Sequence, residues 1–87
     1  MTIKNQIFNL IKNNKINQII KLIEKNKKFN VNIFNDNNIS LLEFAVNYNN
    51  FDLFKLLIDR KVNIDIYDLD GRTILYQIIK QNRIKFL

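Results

Sequence analysis

The chain has 87 residues, 47% of them hydrophobic and 25% charged, and 14 Lys and Arg against 8 Asp and Glu give a formal net charge of +6. That length suits one domain near the lower limit for folding alone, and the apolar content argues against wholesale disorder. The absence of Cys and His removes disulfides, thiolate and most zinc sites, Ser-His-Asp and Cys-His arrangements and the commonest general base, so an enzyme is hard to assemble and none is expected.

The start, Met1-Thr2-Ile3-Lys4-Asn5-Gln6, lacks the continuous apolar centre and small-residue cleavage site of a signal peptide. Charges or Asn break every apolar stretch before it reaches the roughly 18 residues of a membrane span. An intracellular protein is expected, in the cytoplasm first and the nucleus second. Further on, Ser40 precedes an apolar pattern with Glu43 three residues later, the capping-box arrangement, so a helix is predicted to begin at Leu41 with Leu42, Ala45 and Val46 facing inward. Asn47-Tyr48-Asn49-Asn50 stops it, because Asn tolerates the left-handed turn otherwise left to Gly. Phe51, Phe54, Leu57 and Ile58 then recur as one helical stripe, with Asp52, Lys55 and Asp59 between them as the wet face. From Asn63 to Gly71 polar and apolar residues alternate and end in Asp-Gly, which predicts an extended finger closed by a turn. Thr73 caps a further helix whose buried side is Ile74, Leu75, Ile78 and Ile79.

A shift of 33 residues lays Ser40 on Thr73, Leu42 on Leu75, Ala45 on Ile78, Asn49 on Asn82, and Asn30-Val31-Asn32 on Asn63-Ile64-Asp65. Such a period marks one supersecondary unit stacked on its copies. Asp68-Leu69-Asp70-Gly71-Arg72-Thr73-Ile74-Leu75-Tyr76, preceded by Lys55-Leu56-Leu57-Ile58 and Asn63-Ile64-Asp65, resembles the ankyrin repeat, and Asn35 to Tyr67 fits the same pattern without a gap. The departures are local. No Pro follows Ser40 or Thr73, Glu43 and Tyr76 replace the usual His, and Lys61 stands where a Gly is expected after the second helix. An earlier unit fits if Asn5 holds the cap position, Ile7, Leu10 and Ile11 face inward, Ile16, Ile19, Leu22 and Ile23 form the second helix, and Lys25 to Phe29 make a longer loop.

The resemblance implies an all-α fold, an ankyrin-type helix-turn-helix repeat stack (solenoid) with short β-hairpin-like fingers and about two and a half repeats. A single repeat domain would span residues 1–87, with units of about 1–34, 35–67 and 68–87. The last unit stops about one turn into its second helix if that helix begins near Ile84, which would leave Ile78 and Ile79 facing water. A fragment of a longer array, or self-association at the C-terminal end, is the expectation that follows.

The charge is uneven: residues 1–28 hold Lys4, Lys12, Lys15, Lys21, Lys25, Lys27 and Lys28 against Glu24 alone, so the whole excess sits in the first unit. The charge reads as a basic patch for nucleic acid, an acidic protein or an anionic membrane surface, and binding of nucleic acid or an anionic surface through Lys12, Lys15, Lys21, Lys25, Lys27 and Lys28 is the alternative function, against the simpler reading of a Lys-covered end cap. Asp65, Asp68 and Asp70 before Gly71 invite comparison with a calcium loop, but the first ligand position falls on Ile66 and the twelfth on Gln77, so turn chemistry explains them better. Phe44, Phe51, Phe54 and Phe86 read as core rather than a cofactor box. With one Gly no phosphate-cradling loop can form; no cofactor and no metal are expected. The resemblance instead implies a protein-protein interaction module, a scaffold or adaptor whose partner meets the finger tips and the exposed side of the first helices. Carried onto this chain those positions are Asp36, Asn37, Ile39, Asn47, Tyr48, Tyr67, Leu69, Asp70, Arg72, Lys80 and Gln81, with Tyr48, Tyr67 and Arg72 the strongest anchors because Tyr and Arg supply much of the energy at interfaces.

Overall fold

The computed structural model describes residues 2–65, 67 and 70–80. Five helices lie within them: α1 (Ile3–Lys12), α2 (Ile16–Lys25), α3 (Leu41–Asn47), α4 (Phe51–Asp59) and α5 (Ile74–Lys80). No sheet forms among the described residues; extended backbone meets only at the antiparallel bridges Phe34 to Ser40 and Tyr67 to Thr73. The expected β-hairpin-like fingers are these two contacts. The expectations for Leu69, Gln81, Phe86, the Leu75 side chain and a helix near Ile84 lie outside what is described.

Four of the five helices start at a short polar side chain, whereas α2 starts at Lys15 without a side-chain cap. Ser40 Oγ accepts the Glu43 N–H at 3.1 Å, Asn50 Oδ1 accepts the Leu53 N–H at 2.9 Å and Thr73 Oγ1 accepts the Tyr76 N–H at 3.3 Å, each satisfying an amide the helix cannot bond itself. The first helix differs from the reading that put Asn5 at the cap. Thr2 caps it, its Oγ1 accepting from the Asn5 N–H at 3.1 Å, because a hydroxyl three residues earlier meets an apolar stripe that continues back from Ile7 to Ile3. Each pair of helices reverses through Asn in the left-handed region. Asn14 and Asn49 both have φ 55, and the Lys15 and Asn50 N–H groups bond back to Leu10 O and Ala45 O at 2.9 Å. In the fingers, Asn38 (φ 62) does at one turn what Gly71 (φ 76) does at the next, and Lys61 accepts φ 58 at the position where Gly is usual.

The core runs through the helix pairs without a break: Ile7, Ile11, Ile19, Ile23, Val31, Leu41, Leu42, Ala45, Val46, Leu53, Leu57, Val62, Ile74 and Ile78 are buried together. α2 packs on α4 and α3 packs on α5, while α1 with α2 and α3 with α4 form the antiparallel pairs. α4 is rotated relative to the expected stripe: Leu53 and Leu57 are buried, Phe54 is half-buried, and Phe51 and Ile58 are exposed. Only Asp52, Lys55 and Asp59 interrupt its apolar residues, so periodicity leaves the rotation open and contact with α2 and α3 selects it. The expected buried side of α5 is corrected at Ile79: Ile74 and Ile78 are buried, Ile78 with 4% of its surface accessible, whereas Ile79 keeps 61%, since only one side of α5 lies on α3.

Arg60, just past α4, ties the two complete helix pairs together. Its Nη1 donates to Ile23 O at 2.9 Å, and its Nη2 lies within donating distance of Asn26 O at 3.0 Å, Lys27 O at 2.8 Å and Phe29 O at 3.1 Å. These carbonyls belong to the last turn of α2 and the loop after it, where backbone acceptors converge and the helix dipole is negative. Beside them the Asn63 N–H donates to Asn32 Oδ1 at 2.7 Å. Loss of the planar fork in Arg60→Ala is expected to lower unfolding stability by about 2–3 kcal/mol in urea titration, and Arg60→Lys to recover less than half, since a point charge cannot reach all these acceptors. A change below about 0.5 kcal/mol in Arg60→Ala would contradict the clamp.

Candidate functional site

Beside the parts of α1 and α3 that enter the core lies a flank that is only partly covered, its phenylalanine rings packed against the core at one edge. On α1 this flank carries Lys4, Phe8 and Lys12, each one turn from the next, with Asn5 and Asn9 beside them. On α3 it carries Phe44 and Tyr48, also one turn apart. Phe8 and Phe44 meet with ring centroids 6.0 Å apart and planes tilted 58°, and Phe44 meets Tyr48 at 5.8 Å and 58°, within the range of favourable edge-to-face ring contacts. The finger that precedes α3 bends over this row. Its turn is fixed by Asn35, whose Oδ1 accepts the Asn37 and Ile39 N–H groups, both at 2.9 Å.

The result is an open groove of about 430 Å³ lined by α1, the finger tip and α3. Phe8, Phe44 and Tyr48 form its apolar floor; Lys4, Lys12, Asp36 and a set of Asn side chains form its rim. Phe8 and Phe44 are half-buried and Tyr48 keeps 46% of its surface accessible. A second cluster sits on α5 and the finger before it. Arg72 pairs with Asp70 and places its guanidinium carbon 5.5 Å from the centre of the Tyr76 ring, while Lys80 Nζ lies 5.9 Å from the same ring.

Of the positions taken from the sequence, Asp36, Asn37 and Tyr48 line the groove, and Asp70, Arg72 and Lys80 gather around Tyr76. Ile39 is half-buried and bonded within its finger. Asn47 and Tyr67 are exposed without lining the groove. Leu69 and Gln81 are outside the described residues. Lys4, Phe8 and Tyr76 are not among the positions taken from the sequence; the signal for the first two is an aromatic residue with a Lys one turn to either side. Phe44, expected in the core, is half-buried and packs against it while also lining the groove.

The remaining lysines do not extend the groove. Lys21 and Lys25 lie with Gln6, Leu10, Gln18 and Leu22 between α1 and α2, Lys15 lies at the turn joining these helices, and Lys27 and Lys28 lie near Ile3 and Phe29. Among the described residues no group of three or more acidic side chains could hold a metal ion, and no helix is long and apolar enough to cross a membrane. The division between floor and core is measurable: Tyr48→Ala should change stability by less than about 1 kcal/mol, whereas Leu53→Ala should cost about 2–5 kcal/mol in chemical denaturation. Equal losses would place Tyr48 in the core.

Comparison with known proteins agrees with this architecture. The family description for the ankyrin repeat matches residues 37–66, from the tip of the first finger through α3 and α4. The chain is similar to ankyrin repeat protein L371 of Acanthamoeba polyphaga mimivirus, 31% identical over 78 residues that make up 87% of this chain and 10% of that protein. The chain therefore spans about a tenth of the length of the curated relative it matches. No solved structure matches it.

Proposed function

Since the chain belongs to the ankyrin repeat family, whose repeats are protein-protein interaction modules, we propose that it is a scaffold or adaptor domain that holds another protein in the groove between α1, α3 and their finger. Units of about 1–34, 35–67 and 68–87 form one repeat domain in this reading, as part of a longer repeat protein. The observation that carries it is the row Phe8, Phe44 and Tyr48, apolar and partly accessible at the floor of a groove with a polar rim. Aromatic side chains in such a setting supply binding energy through buried area and ring geometry while the rim sets orientation. Arg72, Tyr76 and Lys80 add a second anchor on the next first helix. In this reading the domain acts by holding its partner.

The Lys-rich first helix pair supports the second reading, attachment to nucleic acid or another anionic surface, less well. Its lysines are distributed over several faces, whereas backbone-tracking surfaces concentrate their cations along one stripe. The joint substitution Tyr48→Ala and Arg72→Ala should weaken capture of partner protein from a lysate of the source organism by about tenfold or more while circular dichroism stays unchanged. Undiminished capture by the folded double variant would remove these anchors. Retention on heparin that collapses at modest salt, with no protein recovered, would favour the second reading.

A further inference from the structure

Resting on the protein-binding reading, we infer that the groove takes an acidic peptide in extended conformation, with one apolar or aromatic side chain seated on Phe8, Phe44 and Tyr48 and a carboxylate to either side of it on Lys4 and Lys12. The geometry of α1 gives the spacing. Lys4 and Lys12 lie eight residues apart on one helix face, about 12 Å along the axis at 1.5 Å per residue, and Phe8 stands midway. In an extended peptide, alternate side chains share one face at about 3.3 Å per residue, so residues i and i+4 are separated by about 13 Å with i+2 between them. An acid, an anchor and a second acid at i, i+2 and i+4 therefore match the lysine, ring and lysine of α1 in order.

Charge and ring placement point to the same ligand. The groove of about 430 Å³ is similar in volume to other surface depressions of the chain, and what sets it apart is the row of Phe8, Phe44 and Tyr48 beside Lys4 and Lys12. Its rim carries two lysines against the single carboxylate of Asp36, within a stretch of 28 residues whose only acid is Glu24. The resulting field attracts carboxylates and raises their association rate. Asn5, Asn9, Asn35 and Asn37 also line the groove, and side-chain amides offer both donors and acceptors to a peptide backbone. A nucleic acid fits less well: Phe8 and Phe44 are tilted against each other and half-buried, which leaves no open ring face for a base between them.

The test uses the 87-residue chain and fluorescence anisotropy with four labelled probes: a peptide carrying Asp, Phe and Asp at alternate positions, the same peptide with Ser for Phe, the same with Lys for both Asp, and a single-stranded DNA oligonucleotide. The acidic Phe peptide is expected to bind about tenfold or more tightly than each of the others. Lys4→Glu with Lys12→Glu should weaken it by about tenfold or more and shift preference toward the Lys peptide, whereas Lys21→Glu with Lys25→Glu, the same charge change on another face, should alter it less than about twofold. Tyr48→Ala should weaken the acidic Phe peptide without changing the order of preference. Equal binding of acidic and basic peptides, or equal losses in the two double variants, would overturn the charge assignment while leaving a peptide-binding groove. Absence of binding to the acidic Phe peptide would overturn the inference, and tighter binding of the oligonucleotide would overturn the protein-binding reading with it.

Discussion

Neither helix pair of this chain can hide its apolar side chains alone. A helix packed on one partner still shows part of its apolar stripe, and here the uncovered parts of α2 and α3 are closed by α4 and α5. Ile7, Ile19, Ile23, Leu41, Leu42, Leu53, Leu57 and Val46 thereby lose nearly all contact with water. Each such side chain contributes about 1.5–3 kcal/mol, and a core of this size cannot spare the contact between pairs. Arg60 strengthens that contact where side-chain packing would be weakest, at the C-terminal end of α2, by meeting backbone carbonyls that the helix leaves open.

The same division of faces makes the groove. Stacking consumes the sides of α1 and α3 that carry Ile7, Ile11, Leu42 and Val46, and Phe8 and Phe44 pack at the edge of that core while they and Tyr48 line the groove. The finger turn set by Asn35 brings polar groups to the edge of these rings. Groove and core are therefore products of one pattern of helical periodicity, joined at Phe8 and Phe44.

Much of this was legible in the residues. The shift of 33 that pairs Ser40 with Thr73 reappears in the bridges Phe34 to Ser40 and Tyr67 to Thr73. It reappears again in the Asn30 and Asn63 side chains, which accept the Asn32 and Asp65 N–H groups, both at 3.0 Å. Local chemistry of this kind repeats because the turn it builds repeats. What stayed hidden depends on contacts between distant segments. The rotation of α4 follows from its neighbours, since Phe51, Leu53, Phe54, Leu56, Leu57 and Ile58 are all apolar. Arg60 reads as one more surface cation until the loop carrying Asn26, Lys27 and Phe29 is placed against it. Phe44 reads as core and does pack against it, but its place in the groove leaves no separate mark in the periodicity. Thr2 was overlooked as a cap because the repeat register, rather than the nearest hydroxyl, set the expected start.

Native-state amide hydrogen exchange tests the dependence of one pair on the other most directly. If stacking holds the chain together, Leu57→Ala in α4 should lower the protection of the core amides of α2 by the same free energy as those of α4, about 2–5 kcal/mol. Protection of α2 that stays at its original level while α4 loses its own would show that the helix pairs stand independently, and would contradict the account.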